Sequence, residues 1–456
     1  MEQVVDYGII TLLPPIFVIT FAIITRRVFE ALLLGSVFGF IISDGLGFFE
    51  PFLDSLYTVI EENAWMWMTL GLFGSFVLLL TKSKGSFGFA RIVLKHSKTA
   101  KKSLLMTWLL SWLIFMDDYL NILTLAACIK NVADKQKVPR EMLAYVIAST
   151  SAPICVLVPL STWAVFYGSV FHDQPEITEM GSAMEIYVSA LPFVFYGMTA
   201  VLVVPLVILG IIPKVFAMKK AYARVESGGN VYSDYSSKFN KAEEEVNIET
   251  ADGKISNFLV PLIVLAGLAI YTEDLLIGLI AAIVVQLLMY LPRRNMNFDQ
   301  FGDNLSDGFA NMIPMLFIIL GALSIRISME TIGLPAYVVN AVIPYMNAPL
   351  FPAITFVIVA TLSFVTGSNW GIPAATVPII APLAVLGGAN VPMTLGAIVS
   401  GGTFGSHACF YSDATVLESM ACKMDNLEHA VSQIPYAGIS AIIAIVLYVV
   451  FGIALT

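Results

Sequence analysis

The chain has 456 residues, is 58% hydrophobic and only 12% charged, and carries a formal net charge of −9 with a mean hydropathy of +0.84. Soluble globular domains hold roughly 25% charged residues, so this composition excludes one and predicts an all-α polytopic membrane protein whose main partner is the lipid bilayer. No basic domain offsets the acidity, which argues against a nucleic-acid partner.

Apolar runs come in chain order at 8–25, 28–48, 64–82, 102–130, 141–171 and 186–213. A polar stretch, 214–254, follows, and the runs resume at 256–272, 274–292, 309–327, 350–385, 392–421 and 433–455. The opening MEQVVDYG has no basic flank and no small-residue cleavage site, so the first run is expected to be a span and not a cleaved signal. A span needs roughly 20 apolar residues. Most runs fit, but 102–130, 141–171, 350–385 and 392–421 are too long, and they hold matching places in the two halves. ENAWMWMTLGLFGSF resembles DGFANMIPMLFIILGAL; Phe115 of FMDDYLN pairs with Phe364 of FVTGSNW at a separation of 249 residues. STSAP from Ser149 pairs with GGTFG from Gly401 at 252. Two matches at nearly one offset predict an internal repeat.

Charge sets the topology. The region 82–102 holds seven bases (Lys82, Lys84, Arg91, Lys95, Lys98, Lys101 and Lys102) and no acid. Lys130, Lys135, Lys137 and Arg140 flank the fourth and fifth runs. In contrast, 49–64 and 172–185 carry acids and no base. Basic loops stay in the cytoplasm, so both ends of 102–130 are expected there. The run then enters, turns near FMDDYLN and leaves on the same side, a re-entrant hairpin of the kind tolerated only where protein or water surrounds it. The expected domains are a first repeat, 1–213 (hairpin 102–130, broken helix 141–171), a linker, 214–254, and a second, inverted repeat, 255–456 (hairpin 350–385, broken helix 392–421). Each repeat has about five crossings. The N-terminus is expected outside the cytoplasmic (inner) membrane. The linker, with seven bases and seven acids, reads as a solvated cytoplasmic connector without chemistry, and the basic segment 85–97 as a helix along the inner interface.

Four stretches gather helix breakers and polar groups at bilayer depth: FMDDYLN (115–121), STSAP (149–153), TGSNWGIP (366–373) and GGTFGSHACFYSDAT (401–415). Broken helices at corresponding places in inverted halves mark transporter binding sites. Prolines that only kink and glycines that only let helices pack explain any one of them alone; the four-fold match does not reduce to that. A carboxylate at the helix centre costs ~2.5–3.5 kcal/mol, so Asp117, Asp118 and Asp413 are candidate ion ligands, with Asp118 and Asp413 proposed for Na+. One of the adjacent pair is expected to cap the hairpin's second arm. Asn121, Ser149, Thr150, Ser151, Thr366, Gly367, Ser368, Asn369, Thr403, Ser412 and Thr415 offer the neutral oxygens and backbone that hard cations accept. His407 is placed to shuttle protons or to serve as an interface histidine. Glu418 reads as interfacial, and His96, His172 and His429 as loop residues. Cys128, Cys155, Cys409 and Cys422 lack C-x-x-C spacing and read as packing groups, not disulfide or zinc ligands.

FMDDYLNIL, YVIASTSAPICVLVPLSTW, VTGSNWGIPAATVPIIAPLA and SGGTFGSHACFYSDATVLESMA resemble, in order, the signature regions of the NhaC-type sodium/proton antiporter family, over residues from about 60 to 440. The resemblance is closest to the branch with an F-D-D-Y-x-N tip. It implies an inverted-repeat fold with a scaffold domain, usually dimeric, and an elevator-type transport domain. Its motifs fall on Asp117, Asp118, Tyr119 and Asn121, and on His407, Ser412, Asp413 and Thr415. Ser406 stands where relatives commonly have an acid, and Cys409, Phe410 and Tyr411 where they have Ser-Pro-Ile, which favours a larger or organic substrate. The expected function is secondary transport, with no enzyme activity and no cofactor beyond Na+ and H+ as transported or coupling ions. Na+/H+ antiport comes first. Na+- or H+-coupled transport of an amino acid or small carboxylate, including malate/lactate-type exchange, is the alternative. An ion channel lacks its repeated subunits or charge rings here, and adjacent aspartates do not straddle a scissile bond as a protease needs.

Overall fold

A computed structural model describes residues 7–25, 27–85, 99–115, 117–159, 161–240, 254–272, 274–342 and 347–455. Its regular elements among the described residues are all helices. The first half holds α1 (Leu13–Thr25), α2 (Val28–Asp44), α3 (Phe49–Glu62), α4 (Ala64–Lys82), α5 (Ala100–Ser111), α6 (Asp118–Lys135) and α7 (Arg140–Ala148). It continues with the single turn α8 (Ala152–Cys155), α9 (Thr162–His172), the turn α10 (Pro175–Thr178), α11 (Ala183–Ala190) and α12 (Phe195–Leu209). After α13 (Phe216–Glu226) come α14 (Ser256–Thr272), α15 (Leu275–Tyr290), α16 (Phe298–Ala310), α17 (Ile313–Thr331) and α18 (Leu334–Val342). The chain closes with α19 (Phe351–Thr366), α20 (Gly371–Leu386), α21 (Val391–Ala408), α22 (Asp413–Ala421) and α23 (Asn426–Leu455).

Each polar stretch named above interrupts a helix, and at two of the four a side chain caps the restart. The backbone is non-helical at 112–115 and at Asp117, which caps α6 by accepting from Leu120 N at 3.0 Å. Ser161 caps α9 and Ser412 caps α22 in the same way. Helix α19 ends on Gly367 in the left-handed region (φ 69°), where a side chain would be strained and would meet the Tyr411 ring. One break is confined to the latter part of its stretch. Helix α21 runs unbroken through Gly401, Gly402, Thr403 and His407 to Ala408, and unwinds only at 409–412. The glycines serve a close crossing instead: a Cβ on Gly402 would lie 2.2 Å from the Tyr167 hydroxyl.

The expected spans are segmented. Among the described residues two helices are long and apolar enough to cross a membrane, 29–47 and 426–455, or up to four if two bent pairs (bends of 60° and 51°) each count as one. Others, such as α14, α15, α19 and α20, are apolar but shorter. The acidic stretch 49–64 is not a loop: it forms α3, which packs on α17 and α2. Element order recurs along the chain. The amphipathic α3 precedes the 19-residue α4 as α16 precedes the 19-residue α17. Ala64 and Ile313, which open α4 and α17, stand the same 249 residues apart as Phe115 and Phe364.

The linker departs from the sequence expectation where it is described. Residues 214–240 are docked, not solvated. Arg224 makes two bonds to the Glu141 carboxylate, at 2.8 and 2.9 Å, Arg140 N donates to Val231 O at 2.9 Å, and Ser236 and Asn240 are buried. Residues 241–253, and the expected interfacial helix at 85–97 apart from Gly85, lie outside the described residues.

Candidate functional site

The cavity between the broken helices has a volume of about 480 Å³. Its walls come from the 117–120 restart of α6, the 367–371 turn, the start of α22, Thr162 on α9 and Arg326 on α17. Glu62, Asn63, Trp65 and Asp274 continue the lining toward exposed surface. Aromatic contacts brace the deep end: Trp370 of the turn packs on Trp163 and Phe166 of α9, with ring centroids 4.6 and 4.7 Å apart.

Five carboxylates and one base line this space (Glu62, Asp117, Asp118, Asp274, Asp413 and Arg326), and they are not equivalent. Asp117 spends both oxygens on its helix and on α9, one capping α6 and the other accepting from Thr162 Oγ1 at 3.3 Å. Asp274 caps α15 through Leu276 N and Ile277 N. Asp413 accepts from the Tyr119 hydroxyl, from Asn369 Nδ2 at 3.2 Å and from Ala414 N at 2.8 Å. Asp118 is 1% exposed, and its Oδ2 has no hydrogen-bond partner. A buried carboxylate oxygen without a donor is costly and is the natural ligand for a cation or a proton. The capping role expected for one member of the pair therefore falls to Asp117, leaving Asp118 open.

Six of the candidate residues meet on the cavity wall: Asp117, Asp118, Gly367, Ser368, Asn369 and Asp413. The others lie off it. Asn121 closes the hairpin break by donating to Ser111 O and Ile114 O at 3.0 and 2.9 Å. Thr150, Thr366 and Thr403 bond back to carbonyls of their own helices. Ser412 and Thr415 bond each other and Ser406 O. His407 sits between Ser149 Oγ, 2.9 Å from Nε2, and Tyr196 Oη, 2.7 Å from Nδ1.

Glu418 and His429 need correction. Neither is interfacial or in a loop: they are 1% and 0% exposed, paired at 2.9 Å, with Ser151 donating to Glu418 at 3.2 Å. Their neighbours in sequence are apolar and charged at helical spacing, so a sequence pattern shows the helix but not which face is covered. Tyr119, Thr162, Trp370 and Arg326 are wall residues that the sequence analysis did not select as ligands. Arg326, a lone base within the apolar run 309–327, carried the available signal, since charge at that depth is expensive. Among the described residues no three His, Cys, Asp or Glu side chains cluster closely enough to hold a resident metal ion. The four cysteines are free and buried.

Comparison with known proteins adds independent weight. The chain is 24% identical to an uncharacterized protein of Haemophilus influenzae over 499 aligned positions, 99% of this chain and 93% of that one. It is 34% identical to the malate-2H+/Na+-lactate antiporter of Bacillus subtilis over 111 residues, only 24% of this chain and 23% of the antiporter. The model of the Na+/H+ antiporter family matches residues 154–453, a span that takes in the 367–371 turn, Asp413 and the α21–α22 break. With acids gathered at interrupted apolar helices and a family match over most of its length, this chain belongs to the Na+/H+ antiporter family.

Proposed function

We propose that the protein is a secondary active transporter of the cytoplasmic membrane that exchanges Na+ for H+ at Asp118. The observation that carries this reading is that Asp118 lines the cavity beside Asp117 and Asp413 with one carboxyl oxygen, Oδ2, buried and unpartnered. Na+ prefers carboxylate and neutral oxygens, and Asn369, Ser368 and Asp413 stand on the same wall. One carboxylate that accepts either ion but not both makes the two compete, and competition at a site that alternates between membrane faces is exchange. The cavity leads toward Glu62 and Asp274, the acid-rich side, so the positive-inside rule supports an outward-facing state. The recurrence of α3–α4 as α16–α17 supports two repeats, and the family resemblance supports an elevator movement and a dimer. In sealed proteoliposomes, an imposed Na+ gradient drives proton movement that an entrapped pH dye reports. Absence of that movement refutes the reading.

Arg326 favours a second reading, coupling to a small organic anion. Its Nε is buried without a partner, and its one carboxylate neighbour among the described residues, Glu330, is 4.0 Å away. The guanidinium fork matches a carboxylate, and about 480 Å³ falls in the range of small-molecule sites, far above the needs of a bare ion. Na+-stimulated uptake of labelled lactate or malate without proton countermovement in wild type, lost in Arg326→Gln, selects this reading over simple antiport.

A further inference from the structure

Glu418 and His429 take no part in the cavity, yet burying them needs an explanation. Among the described residues Glu418 bonds only Ser151 and His429. No lysine or arginine pairs with it, so a bare carboxylate and a neutral imidazole would bury a full negative charge, which is strongly unfavourable. One added proton makes the pair neutral. The structure marks where it enters: with His429 Nε2 directed at Glu418 Oε2 at 2.9 Å, the other ring nitrogen, Nδ1, is buried without a partner. One turn further along α23, Gln433 Oε1 is also buried and unpartnered, while its Nε2 donates to His407 O. Two orphaned polar atoms on one helix face at i and i+4 point to an occupant such as water.

We infer that the Glu418–His429 pair, held by Ser151 at the α7–α8 break, is a second proton site that binds and releases one proton in the transport cycle. A proton joins the Nδ1 lone pair, the imidazolium faces the carboxylate, and the pair passes from net −1 to zero; on release the proton returns to water through Nδ1. Helix α22 links this site to the cavity. Asp413 and Glu418 stand five residues apart on it, about 7.5 Å along the axis. Each added positive charge at Asp413 or Asp118 therefore weakens proton binding at the pair. Five residues also turn the two side chains about 140° apart around the helix, so at about 12 Å and an effective dielectric of 20 the effect is about tenfold in proton affinity. Na+ arrival would expel this proton without touching the residues that hold it. The charged and titratable groups on the packed elements include Asp118, Tyr119, Lys130, Asp134 and Lys135 on α6, Arg140, Glu141 and Tyr145 on α7, Tyr196 on α12, Lys219, Lys220, Tyr222, Arg224 and Glu226 on α13, Arg326 and Glu330 on α17, and His407 on α21. The pair's side-chain bonds run to Ser151 and within the pair.

The coupling rests on the proposed Na+ reading; the proton site does not. Purified wild-type protein, Glu418→Gln and His429→Gln are compared by two measurements. In pH-difference infrared spectra without Na+, wild type shows a titrating imidazole–carboxylate signal that both variants lack. In weakly buffered solution, at a pH between the proton affinities with and without Na+, Na+ addition releases roughly half a proton fewer per chain from either variant, and 22Na+ affinity shifts by up to the factor that Na+ imposes on the proton. Unchanged infrared spectra in folded variants overturn the site. Unchanged proton release together with unchanged Na+ affinity in a folded variant overturns its coupling. Wild type that releases no proton on Na+ addition refutes the exchange reading instead, and the infrared comparison then decides the site alone.

Discussion

Replacing Asp118 by Asn separates the adjacent aspartates by role. Asp118 is 1% exposed with Oδ2 unpartnered, and Asp117 and Asp413 share its cavity. A Na+–carboxylate contact near 4 Å is worth ~4 kcal/mol at an effective dielectric of 20. Allowing for about half of that returned as ion dehydration leaves ~2 kcal/mol, or about thirtyfold in affinity. At a Na+ concentration of 100 times the wild-type Kd, ligand binding stabilises wild type by ~2.7 kcal/mol; Asp118→Asn should retain only about 0.9 kcal/mol by the same relation. Without Na+ the variant should be the more stable protein, because a like charge about 7 Å away costs ~2 kcal/mol at that dielectric. Asp117→Asn should differ little from wild type in both respects, since Asn caps a helix as well as Asp. Thermal unfolding of the detergent-solubilised proteins across a Na+ series reads all three quantities. Wild-type Na+ stabilisation in Asp118→Asn together with its loss in Asp117→Asn would falsify the assignment of roles from hydrogen-bond partners.

Asn121→Ala strips the donors from Ser111 O and Ile114 O and should destabilise by about 1–3 kcal/mol per orphaned carbonyl; an unchanged melting curve would return Asn121 to the list of ion ligands. Gly74→Ala places a Cβ 2.3 Å from Gly308 O, a backbone clash where α4 crosses α16, and should cost about 1–3 kcal/mol in the same assay. Arg224→Ala leaves Glu141 buried and unpaired. Removing one partner of a buried pair costs 3–5 kcal/mol, and Arg224 is 26% exposed, so a loss of about 2 kcal/mol is expected after screening. Limited proteolysis should then cut within 214–240, and resistance equal to wild type would show that the pair does not hold this segment down.

The sequence was most informative where chemistry conflicts with position. Charges, prolines and glycines inside apolar runs pointed to all four interruptions, because each is expensive in a membrane helix unless it does something. The same reasoning made 401–415 broader than the break it holds: glycine breaks helices on average, but Gly402 lies in the helix against the Tyr167 hydroxyl, and that neighbour comes from 235 positions away in the chain. It also treated 214–240 as solvent-bound, since its balanced charges give no hint that Arg224 finds Glu141. The spacing of 249 residues between matching motifs was legible in the sequence, and the starts of α4 and α17 stand at the same spacing.

By itself, then, the sequence determined the membrane class, the interrupted runs and the family, all of which depend on composition and order along one dimension. Division of labour was decided only in three dimensions. Asp117 and Asp118 are chemically identical neighbours; one has donors on both oxygens, Leu120 N and Thr162, and the other keeps one oxygen, Oδ2, without a partner. Arg326 came to the cavity, and Glu418 to His429, through helix packing that no local pattern encodes. A side chain's function here follows from which of its polar atoms remain unsatisfied, and that is a property of the neighbours that the fold supplies.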